Sequence, residues 1–156
     1  MFRKMRRFKQ EISEQECLDI LGKQPRGVLA VYGEDSYPYA FPMNYIYMDE
    51  KLYFHCAKEG HKFDAIAANN KVSFCVMDEG FRKDGDWALN IRSIVIFGRV
   101  KRVDDVNETL RVLRQFGLKY YPADQSVEEE LRNVIAKVLI LELSIDHMTG
   151  KLVKES

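Results

Sequence analysis

The sequence predicts an α+β barrel of six antiparallel strands with three or four short helices at its flanks. Three observations carry that expectation. β-rich runs bounded by turn residues recur along the chain, and the first three follow one another with no helix between them, as a barrel-starting meander does. Helix-start signatures occur only ahead of short stretches with apolar residues at helical spacing. The 156 residues are 46% hydrophobic and 31% charged, enough for one core; folding a chain of this length removes roughly 70% of its surface from water. One domain over residues 1–156 is expected, with no repeat, linker or low-complexity tract.

Taken in order, Ser13 with Glu16 forms a capping box, Cys17, Leu18 and Leu21 recur on one helical face, and Gly22 is placed to cap the C-terminus. Residues 27–32 read as a strand through Val28, Leu29 and Val31, Gly33-Glu34-Asp35-Ser36 as a turn, and 37–47 as a second strand. Met48-Asp49-Glu50-Lys51 turns the chain into a third strand over 52–56. Phe63, Ile66 and Ala67 put a short helix over 61–68, and a fourth strand follows over 71–77. Residues 78–90, polar and holding Gly80 and Gly85, read as a long loop before a fifth strand over 91–103. Asp105 with Glu108, and Ser126 with Glu129, fit caps for helices over 106–116 and 127–136. A last strand over 137–145 precedes the tail Asp146-His147-Met148-Thr149-Gly150-Lys151.

Charge and cysteine usage narrow the function classes. Twenty-four basic and 24 acidic side chains cancel, so the overall field draws in neither nucleic acid nor an anionic membrane, and any anion site is local. No stretch approaches the ~20 apolar residues of a membrane span, and no apolar segment follows the basic start Arg3, Lys4, Arg6, Arg7 and Lys9, so neither a span nor a secretory signal is expected. Cys17, Cys56 and Cys75 are odd in number and lack CxxC spacing, which suits a reducing compartment; a cytoplasmic protein is expected. The Rossmann, P-loop, hydrolase-elbow and zincin spacings are all missing.

What remains is a concentration of polar and aromatic residues between Pro42 and Lys62. His55, Cys56 and His61 fit a metal poorly, because adjacent strand residues point to opposite faces; no metal is expected. Lys58, Gly60, His61 and Lys62 suit an anion better. Gly60 permits close backbone approach, the helix that follows offers free N–H groups, and the side chains add charge. A solvated basic turn is the alternative. Pro42, Met43, Asn44 and Tyr45 lie in a strand where Pro42 removes a ladder donor and Asn44 is out of place by propensity. An interrupted strand with aromatic neighbours suits a planar ring; a locally satisfied strand end is the alternative. By residue type alone Arg92 and Ser93 are edge polarity at the start of the fifth strand.

Together these segments resemble the flavin-binding split barrels of the pyridoxamine-phosphate-oxidase-like group. Phe41-Pro42-Met43-Asn44-Tyr45-Ile46-Tyr47 is similar to its first flavin-contacting strand, Tyr53-Phe54-His55-Cys56 to its second, and Gly60-His61-Lys62 to its phosphate turn. The resemblance is closer to the nitroimidazole-resistance (Nim-type) branch. It runs through Met5-Arg6-Arg7, Gly27-Val28-Leu29-Ala30, Tyr37-Pro38-Tyr39, Tyr53 to Lys58, Lys71-Val72-Ser73-Phe74, Ser93 to Arg99 and His147-Met148-Thr149-Gly150-Lys151. The resemblance implies a six-stranded antiparallel split barrel with short flanking helices, dimerised with itself around two FMN molecules, FAD being the other form. Pro42, Met43, Asn44, Tyr45, His55, Cys56, Lys58, Gly60, His61 and Lys62 would line the flavin from one subunit, and Arg92 and Ser93 from the other. It further implies an unidentified electron donor and a small planar acceptor, 5-nitroimidazoles being reduced to amines; a non-catalytic flavin carrier is the alternative. His55 and His147 are the side chains able to give a proton to a reduced substrate, or to hold structural hydrogen bonds. Pro42 and Tyr47 stand where the oxidase proper has basic residues, and the tail lacks its Trp and Arg pattern, so vitamin B6 oxidation is not expected.

Overall fold

The fold is given by a computed structural model that describes residues 1–121 and 127–155. Its first helix, α1 (Glu14–Lys23), starts as expected: the Glu16 N–H donates to Ser13 Oγ at 3.2 Å and the Ser13 N–H to the Glu16 carboxylate at 2.9 Å. Cys17, Ile20 and Leu21 form its buried face. Gly22 does not cap it. The helix runs on to Lys23 and stops at Gln24, whose extended backbone is the conformation forced on a residue preceding a proline, here Pro25.

Strand β1 (Arg26–Tyr32) pairs with β2 (Pro38–Asn44) across a tight turn, Glu34–Ser36, in which Asp35 and Ser36 have φ of 52° and 64°. The expected strand over 37–47 is divided at Tyr45, and β3 (Ile46–Met48) begins on its far side, so the sheet has seven strands rather than six. Asp49 and Glu50, at φ 53° and 59°, make the two-residue turn into β4 (Lys51–Ala57); positive φ at both central positions matches the right-handed twist of the strands they join. Adding β5 (Lys71–Met77), β6 (Leu89–Val103) and β7 (Val138–Glu155) gives the order β2-β1-β5-β6-β7-β4-β3, every ladder antiparallel. Asn44 pairs with Arg26 on one edge of this sheet and Ile46 pairs with Tyr53 on the other. A single residue therefore joins the two edges, and the sheet has to curl into a half-closed barrel.

The expected tail is also strand. β7 continues to Glu155 because β6 reaches back to Leu89 and offers a partner all the way. The ladder changes register between Phe97 and Gly98, where Phe97 faces His147, Gly98 faces Ile145 and Asp146 is the extra residue. Gly98 is required there, since a Cβ would strike the Ser144 carbonyl oxygen. Arg99 takes up the bulged Asp146 in a two-pronged ion pair at 3.0 and 2.8 Å.

The inward residues of the strands, among them Leu29, Phe54, Phe74, Ile94, Ile96 and Leu143, meet α1 and α2 (His61–Ala68) in the main core. A second cluster lies outside the sheet, where α3 (Val106–Tyr120) and α4 (Val127–Val134) cover Ile46, Tyr53 and Ile140 with Val112, Leu113, Phe116 and Leu131. Asp105 caps α3 through the Glu108 N–H at 2.7 Å, while the Glu108 side chain turns to Arg111. α3 is one turn longer than its apolar pattern predicts, and α4 ends at Val134 instead of residue 136. The expected cap by Ser126 lies outside the described residues. Among the described residues no helix is long and apolar enough to cross a membrane.

Candidate functional site

The sheet edge at β2 and the start of α2 come together. Gly60 has φ 122°, a conformation other residues adopt only under strain, and nothing stands within 4 Å of where its Cβ would be. No side chain caps α2, and its first helical bond is the Asp64 N–H to the Gly60 carbonyl at 3.1 Å. The N–H groups of the first turn are thus free to meet an anion. The two side chains beside them, His61 and Lys62, are braced against β2. His61 stacks on Tyr39 with ring centroids 4.3 Å apart and planes 10° apart, and Lys62 Nζ sits 4.6 Å above the Phe41 ring. Cys56, half-buried on the inner side of β4, lies near Lys62; burial pushes its thiol pKa up and the lysine pulls against it.

On β2 itself, Pro42 and Asn44 face outward while Phe41 and Met43 face the core. Tyr45, 0% exposed, donates its phenol hydrogen to the Leu21 carbonyl at 2.9 Å, and burial pushes its pKa up. Its backbone is engaged as well. The Tyr45 N–H donates to Tyr120 Oη at 2.9 Å, and Lys119 Nζ donates to the carbonyls of Tyr45 and Gln24, both at 2.9 Å, from 4.0 Å above the Tyr45 ring. Burial pulls the Lys119 ammonium down to about 8. The C-terminal turn of α3 thus clamps the point where the chain steps from one sheet edge to the other. Met43 and Tyr45 have no side-chain surface for a ligand there; what they offer is position for Pro42 and Asn44.

The other expected residues are dispersed. Lys58 borders a small cavity of about 140 Å³ with Arg102, Val106 and Ile140. His55 is exposed on the outer side of β4, with one ring edge against Phe116 at 4.9 Å; that contact desolvates it and lowers its pKa. Arg92 is committed to Asp78, Nε to Oδ2 at 2.8 Å. Burial pushes the Asp78 carboxyl up, but hydrogen bonds from the Arg92 backbone and side chain and from the Gly80 N–H outweigh it and hold the group below its usual range. Ser93 pairs with Met77 and Lys151 on the outer face. His147 lies on that face too, covered by the Phe2 ring at 4.7 Å with planes 5° apart. His55 pairs with Ile140, seven residues along β7 from His147, so the two imidazoles are about 20 Å apart in one chain. His55 and Cys56 point to opposite faces, and among the described residues no three His, Cys, Asp or Glu side chains gather as metal ligands.

Three features escaped the sequence reading. Tyr39 and Phe41 brace the basic turn, a role signalled only by their alternation on β2. Lys119 and Tyr120 act from more than 70 residues away, with no local signal. A groove of about 810 Å³ opens on the outer face among Phe2, Tyr32, Tyr37, Lys71, Phe97 and Arg99.

A curled antiparallel sheet with an open basic turn at one edge and one uncovered outer face defines a split barrel, and solved structures share it. A protein of Bacteroides thetaiotaomicron described as a candidate 5-nitroimidazole antibiotic resistance protein is 22% identical, with a TM-score of 0.79 over 93% of this chain and 87% of that one. An FAD-binding protein of Mesorhizobium loti is 24% identical, with a TM-score of 0.68 over 92% and 97%. An FAD- and heme-binding protein of Mycobacterium smegmatis is 23% identical, with a TM-score of 0.74 over 92% and 73%. At these identities the likeness establishes the fold. The chain belongs to the pyridoxamine 5'-phosphate oxidase family, whose match runs over residues 13–152. No curated protein matches it.

Proposed function

We propose that the protein binds a flavin mononucleotide across the interface of a homodimer and reduces small planar nitro compounds, such as 5-nitroimidazoles, to amines. The observation that carries this reading is the open start of α2, where free N–H groups, His61 and Lys62 converge beside an edge strand. When bound, a flavin supplies the redox chemistry. Lys62, His61 and the α2 N–H groups hold its phosphate. β2 is an edge strand, so half of its backbone groups face away from β1 and can bond the rest of the cofactor, with Asn44 and Pro42 beside it. The split-barrel neighbours named for FAD binding and for nitroimidazole resistance support the same reading.

The uncovered face supports the homodimer. Val28, Cys75 and Val95 are successive cross-strand neighbours there, and Met77 and Phe97 stand 62% and 39% exposed beside them. A second copy laid on this face removes them from water and brings the partner subunit's Ser93 toward the flavin. His147 shares that face and is the histidine suited to give a proton to a reduced substrate; His55 sits on the half covered by α3.

The test is reconstitution with FMN and with riboflavin, which lacks the phosphate. A charge-assisted hydrogen bond is worth about 1.5–3 kcal/mol, so Lys62→Ala weakens FMN roughly 10- to 150-fold and leaves riboflavin unchanged. Equal losses for both mean that Lys62 acts through the fold. The reduced flavoprotein, kept anaerobic, is then reoxidised by a 5-nitroimidazole faster than free reduced FMN is, because the acceptor is held in place. No preference over free flavin leaves a flavin carrier.

A further inference from the structure

We propose that Lys119 is an acylation site: its amine takes a short aliphatic acyl group from an activated donor, a thioester or an acyl phosphate, and the cavity that its side chain lines receives the chain. The site is independent of the flavin and of the dimer.

Lys119 lies in the last turn of α3, against the end of α1 and the step at Tyr45. Neutral groups hold its amine. Nζ donates to the carbonyls of Gln24 and Tyr45, both at 2.9 Å, and stands 4.0 Å from the centre of the Tyr45 ring and 5.4 Å from that of Tyr120. No carboxylate pairs with it among the described residues. A cation drawn out of water without a counter-charge favours its neutral form, which keeps two hydrogens and frees a lone pair. The two carbonyls suffice for those hydrogens, and the lone pair is a nucleophile.

The cavity, about 290 Å³, has Leu21, Ile46, Met48 and Leu118 in its walls. Such a lining suits a hydrocarbon chain. It does not suit an adduct that carries a carboxylate, because Lys119 is the only cation lining the cavity and acylation neutralises it. In the transfer, Nζ attacks the acyl carbon and the N–C bond forms. The C–S or C–O bond to the donor breaks, the departing thiolate or phosphate keeps the electron pair, and one amine hydrogen leaves as a proton to it or to water. The amide that results retains one N–H, which can serve the Gln24 carbonyl. The Tyr120 hydroxyl, 2.8 Å from the Tyr45 carbonyl, can turn to it from the exposed Pro25 carbonyl at 2.6 Å, so the clamp loses a charge without leaving a buried carbonyl bare.

The pH dependence of the reaction belongs to the amine. Tyr45 and Tyr120 face it and Tyr47 shares the cavity; burial pushes all three phenols up, and Arg26 acts on Tyr120 from beyond. Burial pulls the Lys119 ammonium down to about 8, so at pH 7.5 its neutral fraction is roughly 200-fold that of a lysine at the ordinary 10.5. Lower basicity gives back part of that advantage, leaving about 10-fold in rate.

The full-length protein is exposed to acetyl phosphate and, separately, to acetyl, butyryl and succinyl thioesters, and peptide mass spectrometry reads each lysine. At pH 7.5 Lys119 is expected to be acetylated at least about 10-fold faster than the average of the other lysines, with a rate that levels off above pH 8 while theirs still climbs. Butyryl should enter Lys119 within about twofold of acetyl, and succinyl, which carries a carboxylate, about 10-fold more slowly, relative to the same reagents on the other lysines. Unfolding in urea should erase both preferences. Acetylation of Lys119 no faster than the average, or a preference that survives in urea, overturns the site; succinyl entering as readily as butyryl overturns the role of the cavity.

Discussion

The outer surface of the barrel has two halves, built on one sheet and finished differently. Over β3, β4 and the first part of β7, helices α3 and α4 add a second layer, and Ile46, Tyr53 and Ile140 are 4%, 1% and 0% exposed. Over β1, β5 and β6 no helix among the described residues covers the outer face, and Val28, Met77 and Val95 remain 42%, 62% and 36% exposed. The strands of both halves carry apolar residues on both faces, so the strand pattern does not distinguish them. The difference arises after β6, where the chain places both remaining helices on one side. Apolar side chains left contiguous on a sheet face signal cover from another molecule.

The comparison is broken most severely from inside the bare half. Phe74 is 0% exposed and edge-on to Tyr45 and Phe54, so Phe74→Ala is expected to cost about 3–5 kcal/mol, read as a lower urea midpoint. On the opposite face of the same ladder, Val95→Asp buries nothing new within one chain and should shift monomer stability by only about 0.5 kcal/mol. Its effect is on association: light scattering moves from two chains to one. An unaltered protein that already scatters as one chain removes the need for cover and sinks the dimer.

The helix-covered half gives the smallest and most selective effect. The Lys119 ammonium, ordinarily near 10.5, is pulled by burial to about 8 in the folded chain. Between those values the unfolded chain binds a proton that the folded one lacks, so Lys119 makes stability rise with pH from about 8 to about 10.5. Lys119→Met removes that rise. Across this range the urea midpoint of the unaltered protein should rise relative to that of Lys119→Met; parallel curves mean that the amine is not desolvated.

The local half of this structure was legible in the sequence. The Ser13–Glu16 box, the helix opening at His61, the Asp49-Glu50 turn and the alternation of β1 and β5 all rest on neighbours a few residues apart, and the structure keeps them. What the sequence hid depends on distant partners. Residues 37–47 read as one strand because nothing near Tyr45 reveals that its backbone bonds go to Lys119 and Tyr120. Residues 146–151 read as a tail because their pattern is weak, and only the extra length of β6 makes them strand. At the candidate site, Gly60, His61 and Lys62 were singled out by local chemistry, whereas Phe2 over His147 crosses nearly the whole chain and left no trace.

The one-residue step at Tyr45 has a kinetic side. The β1–β2, β3–β4 and β5–β6 ladders close between near neighbours, but the β1–β5 and β4–β7 ladders join segments about 45 and about 90 residues apart, and loops that long are slow to close. Because Asn44 and Ile46 flank a single residue, the first two hairpins are tethered end to end from the moment they form. Docking either one on its distant partner carries the other along, so the two slow closures become one event. Tyr45 sits at that joint, bonded to α3 from above and to α1 from below, and its amide should exchange with solvent only when the whole molecule unfolds.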